Sequence, residues 1–279
     1  MRQLLAALPI LALAACTVKP ACAPSNSWLE PGSLRTVPDP IPQAAEAPVV
    51  LLGEQHDREP DHQWEYATIQ RLYAENPHLA LGFEMFPRSK QPVLNAWVQG
   101  KLTEAEFLKQ TDWDNVWGFD AAMYMPMFRF ARDHHLPMQA LNVSRRTVHL
   151  VATQGWDGVK VADREGVSTP APPSAAYRSS LQDAMSGHGG PAMTPARLNH
   201  FIEAQLLWDR AMAEAIAAER AAAPDVTVVG VMGAGHLEFG EGVPHQLAAL
   251  GVHGAVILLP AGAACTKFDA GYANAIYVE

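Results

Sequence analysis

The chain has 279 residues, of which 49% are hydrophobic and 18% charged. That balance excludes a disordered chain and leaves room for one or two domains with a sizeable core. Twenty Lys and Arg against 29 Asp and Glu give a net charge of −9, which excludes a sequence-independent nucleic-acid binder, and three cysteines exclude a disulfide-dense scaffold.

The first fifteen residues read as an export signal. Arg2 supplies the positive start, and an apolar stretch from Leu4 to Ala15 follows. It is too short to span a bilayer but suits a signal-peptide core. It closes on Leu13-Ala14-Ala15-Cys16, a pattern that resembles a bacterial lipobox, with Cys16 as the lipidated first residue of the mature chain. Thr17, in place of Asp, points to the outer membrane facing the periplasm. Loss of Arg2 with the signal takes the mature chain to −10. Such a body does not adhere to anionic lipid by charge, so membrane attachment is expected through the lipid anchor. Residues 16–47 are rich in Pro, Ala and Ser and read as a tether. Cys22 in this tether and Cys265 near the C-terminus either pair in an oxidising compartment or remain free thiols.

From residue 48 the pattern becomes alternating strands and helices. Short apolar runs bounded by Gly, Pro or Asn predict strands at Pro48–Leu52, Leu79–Phe83, Pro137–Leu141, Val226–Val231 and Ala255–Leu259. Helical spacing predicts helices over Asp61–Ala74 and Met123–His134. A long helix opens on Thr194 as N-cap with Pro195 at its first position, and stops before Pro224. Residues 87–119 read as two helices, Gln91–Gln99 and Glu104–Gln110, and 161–191 as a Pro- and Gly-rich loop. Together these insertions predict a small helical cap over the sheet edge. The fold class is therefore α/β: a mostly parallel β-sheet with helices on both faces, in one domain over 48–279.

Parallel strands place their carboxyl ends on one edge, where open α/β sheets bind ligands. Glu54, His56, Glu84, Asn142 and His236 each follow a predicted strand, so they are expected to converge. Gly53-Glu54-Gln55-His56 and Gly233-Ala234-Gly235-His236 share the form Gly-x-x-His. Three readings fit this set. His56, His236 and Glu84 suit a divalent metal, with Glu54 or Glu84 as base. The same groups suit a buried hydrogen-bond network, or a binding site without chemistry. A dinucleotide fingerprint fails because Glu238 stands where the third glycine belongs. Without Cys-x-x-Cys-His, covalent c-type haem is excluded, and no Gly-x-Ser-x-Gly occurs.

Several segments together resemble the ChaN family of haem-binding lipoproteins. They are Gly53-Glu54-Gln55-His56-Asp57; Gly82-Phe83-Glu84-Met85-Phe86 with Gln91; Trp113 and Trp117 before Tyr124 and Pro126; Asn142 with Arg145; Gln205-Leu206-Leu207-Trp208-Asp209; and Gly235-His236 with Gly240, Gly242, Val243 and Pro244. The matches run in order from about residue 49 to 259. The wider group includes Tiki/TraB-type metalloproteases and erythromycin-esterase-like hydrolases. The resemblance implies a role in iron uptake and haem held noncovalently by tyrosine, between two subunits of a homodimer. A phenolate suits ferric haem. Tyr177, beside His188 in the loop-rich segment, and Tyr124 are the candidate ligands. Arg145, Arg146 and Arg178 are candidates for the propionates. The alternative is a metal-assisted amide or ester hydrolase using His56, His236 and Glu84 or Glu54.

Overall fold

A computed structural model describes residues 22–186, 194–262, 264, 265 and 267–279. The lipobox Cys16 and the candidate His188 lie outside the described residues. In chain order the elements are β1 (Ser27–Leu29), β2 (Thr36–Val37), α1 (Ile41–Ala44), β3 (Val49–Glu54), α2 (Glu59–Glu75) and β4 (Leu79–Pro87). Then come α3 (Gln91–Val98), α4 (Glu104–Thr111), α5 (Trp113–Val116), α6 (Ala121–Asp133), β5 (Met138–Asn142) and α7 (Arg145–Gln154). The last are α8 (Ala175–Ser186), α9 (Pro195–Ala222), β6 (Thr227–Gly233), α10 (Val243–Ala249), β7 (Val256–Ala261) and β8 (Ala275–Val278).

The strands form one sheet in the order β2-β1-β8-β7-β3-β6-β4-β5. From β8 to β5 every pairing is parallel, and β1 joins β8 and β2 antiparallel. Every residue of β3, β4 and β6 is buried, as expected of unbroken apolar runs covered by helices on both faces. The main core lies between the sheet and α2, α3 and α6; a second packs α9 and α10 against the opposite face. The expected fold class therefore holds. At the outer edge, β5 is covered by Gln91, whose amide donates to Met138 O and accepts from Ala140 N. That side chain occupies backbone groups an exposed edge would leave open to another chain.

α9 forms as its sequence predicts. The Thr194 hydroxyl accepts from Arg197 N, and Pro195 opens the helix. The insertion at 87–119 becomes α3, α4 and α5, whose Trp97, Phe107 and Trp113 pack with Phe128 of α6. Thr103 and Glu106 cap α4 reciprocally.

Residues 22–47 depart from the expected tether. Trp28, Leu29 and Ile41 are buried, and β1 pairs with β8 through Ser27↔Val278, Trp28↔Tyr277 and Leu29↔Ile276. These apolar residues give the Pro- and Ala-rich stretch something to bury, and it extends the sheet. Cys22 and Cys265 form a disulfide across 243 residues of sequence. Closing so long a loop adds roughly 2–4 kcal/mol by restricting the unfolded chain. No helix among the described residues is long and apolar enough to cross a membrane.

Candidate functional site

The carboxyl ends of β3, β4, β5 and β6 open onto a cavity of about 740 Å³. His56, Glu84 and His236 form its floor, and Trp117, Phe119 and Trp208 stand among its walls. The first turns of α7 bring Arg145, Val148 and His149 to the cavity, which Lys90 also lines. α7 starts there because Ser144 caps it, its hydroxyl accepting from Thr147 N.

Each imidazole of the floor is oriented by its own carboxylate. His56 Nδ1 lies 2.6 Å from Glu54 Oε1, and its ring meets the Trp117 ring edge-on at 4.7 Å. His236 Nδ1 lies 2.6 Å from Asp209 Oδ1 on α9, and Trp208 packs against it. Between them, Glu84 Oε2 accepts from Gly233 N at 2.7 Å, and Oε1 lies 3.5 Å from His236 Nε2. Asn142 donates to the Glu84 carbonyl and accepts from Val143 N, which fixes the end of β5 against β4.

Two glycines make this spacing feasible. A Cβ on Gly233 would meet His56 Cε1 at 2.9 Å. Gly242 has φ +56, and a Cβ there would lie 2.4 Å from His236 O and 3.1 Å from Asp209 Oδ1. The second position demands glycine on backbone grounds as well.

The electrostatics follow from burial and pairing. Burial opposes ionisation of Glu54, but the His56 hydrogen bond and close pairing with His62 outweigh it and hold the carboxyl at about 2. Burial likewise disfavours the His236 imidazolium, yet the Glu84 charge and the Asp209 hydrogen bond lift it to about 10. His56 is raised against burial, chiefly by Glu54. Glu84 is lowered against burial, chiefly by the His236 charge. The floor is thus a set of charge-assisted pairs that keeps imidazole N–H groups facing the cavity.

His62 and Glu65 lie behind this floor, on α2. His62 Nδ1 is 2.8 Å from Glu54 Oε2 and 3.3 Å from Glu65 Oε2, and its Nε2 is 3.2 Å from the His56 carbonyl oxygen. Burial disfavours the His62 imidazolium, but close pairing with the Glu54 and Glu65 carboxylates lifts it to about 10. Burial and the Glu54 charge push Glu65 well up.

The candidates from sequence separate into groups. His56, Glu84, His236 and Arg145 reach the cavity, and Glu54 supports it from beneath. Among the described residues, the His, Cys, Asp or Glu ligand atoms that come within 4.8 Å of one another belong to Glu54, His62 and Glu65, not to the expected set of His56, His236 and Glu84. Both tyrosines are buried away from the cavity lining. Tyr124, fully buried, donates to Glu54 Oε1 and the His56 carbonyl. Tyr177 donates to Asp209 Oδ2 at 2.8 Å. Burial and the neighbouring carboxylates push both phenols up, away from phenolate. Arg146 is exposed and pairs loosely with Asp163, while Arg178 bonds Asn199. Sequence reading assigned no role to Asp209, His62 or Glu65. Their signal is a charged residue on the apolar stripe of an otherwise ordinary helix.

Comparison with known proteins bears on the family and the fold. No curated protein sequence matches the chain. A solved structure described as cofacial haem binding to ChaN of Campylobacter jejuni superposes with a TM-score of 0.69. It covers 90% of this chain and 95% of that one at 17% identity. An erythromycin esterase variant, EreC H289N in its open conformation, superposes with a TM-score of 0.49 at 13% identity, covering 79% of this chain and 71% of that one. The family model described as haem-binding uptake, Tiki superfamily, ChaN matches residues 41–247. The match spans β3 to α10 and every side chain of the cavity floor, so the chain belongs to the ChaN family of the Tiki superfamily.

Proposed function

We propose that this protein is a lipid-anchored haem-binding protein of the cell envelope, which holds haem noncovalently in the cavity during haem and iron uptake. The cavity carries the reading. Its volume of about 740 Å³ lies within the roughly 300–1,000 Å³ of cofactor-sized sites. Aromatic walls suit the flat face of a porphyrin. Lys90 and Arg145 of the lining suit its propionates, arginine in a fork that matches a carboxylate. Haem iron supplies the redox and ligand chemistry when bound; the chain supplies walls, charge and oriented imidazoles. The Cys22–Cys265 disulfide supports export, since such bonds persist in oxidising compartments. The Campylobacter jejuni ChaN is described as binding haem cofacially. The corresponding proposal here is a homodimer formed on haem loading.

Titration of the purified protein with haemin is expected to give a saturable Soret shift. Arg145→Ala combined with Lys90→Ala weakens binding about tenfold, since two partly exposed charge pairs contribute about 1–2 kcal/mol together. Tyr177→Phe leaves affinity and spectrum unchanged, because that phenol bonds Asp209 and lies off the cavity lining. Absence of saturation, or a loss confined to Tyr177→Phe, overturns the seating in the cavity. In cells, Cys16→Ser moves the protein from the membrane to the soluble fraction; unchanged fractionation overturns the anchor.

A further inference from the structure

The polar cluster behind the cavity floor has the chemistry of a separate cation site. His62 and Glu65 are three residues apart on α2 and so project from one face of it. That face meets Glu54 at the end of β3, and all three side chains are buried. The atoms that converge are His62 Nδ1, Glu54 Oε2 and Glu65 Oε2, at 2.8 and 3.3 Å from the imidazole nitrogen. Neither these atoms nor Glu65 Oε1 has a hydrogen bond of acceptable geometry. A buried carboxylate with both oxygens unsatisfied is costly and calls for a partner.

We propose that Glu54, His62 and Glu65 bind a first-row divalent cation. Two carboxylates and one imidazole form a mixed oxygen and nitrogen donor set, which suits zinc, manganese or iron better than the all-oxygen shells calcium prefers. The imidazole is oriented as a ligand, and the cation takes the place of its Nδ1 proton, which is released to solvent. Its Nε2–H points at the His56 carbonyl, 3.2 Å away, and this leaves Nδ1 as the donor to the cation. Metal-bound histidines are commonly fixed by such an outer hydrogen bond. Charge also balances, since two carboxylates and a dication sum to zero in a buried position. The Tyr124 ring covers the imidazole at 4.3 Å, so the site is closed in the manner of a structural one.

The cation then bears on the cavity through Glu54. One oxygen of that carboxylate faces the cluster and the other holds His56 Nδ1 at 2.6 Å. Metal binding would therefore set the tilt of an imidazole in the cavity floor. This site is distinct from the haem cavity and does not depend on haem binding.

The test uses the full chain, stripped with a chelator, dialysed against Zn²⁺ or Mn²⁺, desalted and analysed for metal. About one cation per chain is expected for one of the two. Glu65→Gln and His62→Gln should retain less than about a tenth of that, whereas His236→Ala retains it in full. X-ray absorption of the loaded wild type should show a single imidazole among oxygen donors. Retention of neither metal, equal retention by Glu65→Gln, or two imidazoles around the metal overturns the proposal. Should neither Gln variant fold by circular dichroism, the absorption spectrum of the wild type decides. Haemin titration of the same samples is read separately, so either function can fail alone.

Discussion

Glu54→Gln is expected to lower the unfolding free energy by about 3–5 kcal/mol, measured in chelator so that no metal contributes. The substitution keeps the shape of the side chain and an oxygen able to accept from His56 and Tyr124. It removes the charge. His62, buried beside Glu54 and held in its protonated form chiefly by it, then loses its nearest counter-ion. A buried charge stripped of its nearest partner costs far more than a surface pair gains, because water does not replace that partner and Glu65, at 3.3 Å, is more distant and itself resists ionisation. For a chain of this size the loss corresponds to a fall in Tm of roughly 6–20 °C. Glu30→Gln is the matched control: its bond to Arg35 lies between two exposed side chains, and its loss should cost less than about 1 kcal/mol. Equal effects in the two variants would show that Glu54 contributes no more than a surface carboxylate.

Glu54 matters because it ends a central strand and serves two clusters at once. Its two oxygens face opposite ways, one to His56 and Tyr124, the other to His62. Position 54 therefore couples the floor of the cavity to the N-terminal half of α2. The Gly-x-x-His turn around it looks like a loop motif in the sequence, yet in the fold its glutamate is the buried anchor and its half-buried histidine faces the cavity.

Legibility in the sequence followed the kind of element. The five expected strands correspond to β3, β4, β5, β6 and β7 within a residue or two at their starts. Central parallel strands are written as continuous apolar runs, and their shared direction was enough to bring Glu84, His56 and His236 together. β1, β2 and β8 were not legible. They have three, two and four residues, too few for a period, and they exist because they pair with each other across the whole chain. Residues contributed by strand ends were found for the same reason that the strands were. Asp209, His62 and Glu65 come from helices, where a charged residue reads as part of a solvated face unless the helix phase is known. Tyr177 illustrates the converse: its loop-rich neighbourhood suggested exposure, but α8 folds it against α9 and Asp209 takes its proton-bearing end.

Stability of the metal-free protein should fall as pH rises from about 6.5 to about 10. His62 and His236 both have folded-state values lifted from 6.5 to about 10, so across that window the folded chain keeps protons that the unfolded chain has released. Their contribution is complete below about pH 6.5 and is lost as pH climbs through about 10. Each such proton changes stability by about 1.4 kcal/mol per pH unit, giving a slope of up to about 2.7 when both act. Glu65 adds to the same trend, because its raised value makes the folded chain retain a proton above the ordinary range of a glutamate. The acid side has the opposite sign. Glu54, held at about 2, and the lowered Glu84 stabilise above about pH 4.5, and that stability goes as pH falls through about 2. The Glu54–His62 pairing is one interaction reported from both ends, so its energy enters once. A maximum near pH 4.5, a shallow decline to about pH 6.5 from Glu65 and a steep alkaline decline from the two imidazoles are therefore expected from urea unfolding in chelator at half-unit steps. His236→Ala removes one titrating group and should flatten the decline by about one proton, whatever its effect on stability at pH 6. A flat wild-type profile between pH 7 and 9.5, or an unchanged slope in His236→Ala, would mean that these imidazoles are neutral in the folded chain. The floor of the cavity would then lack the charge-assisted pairs from which its geometry has been explained.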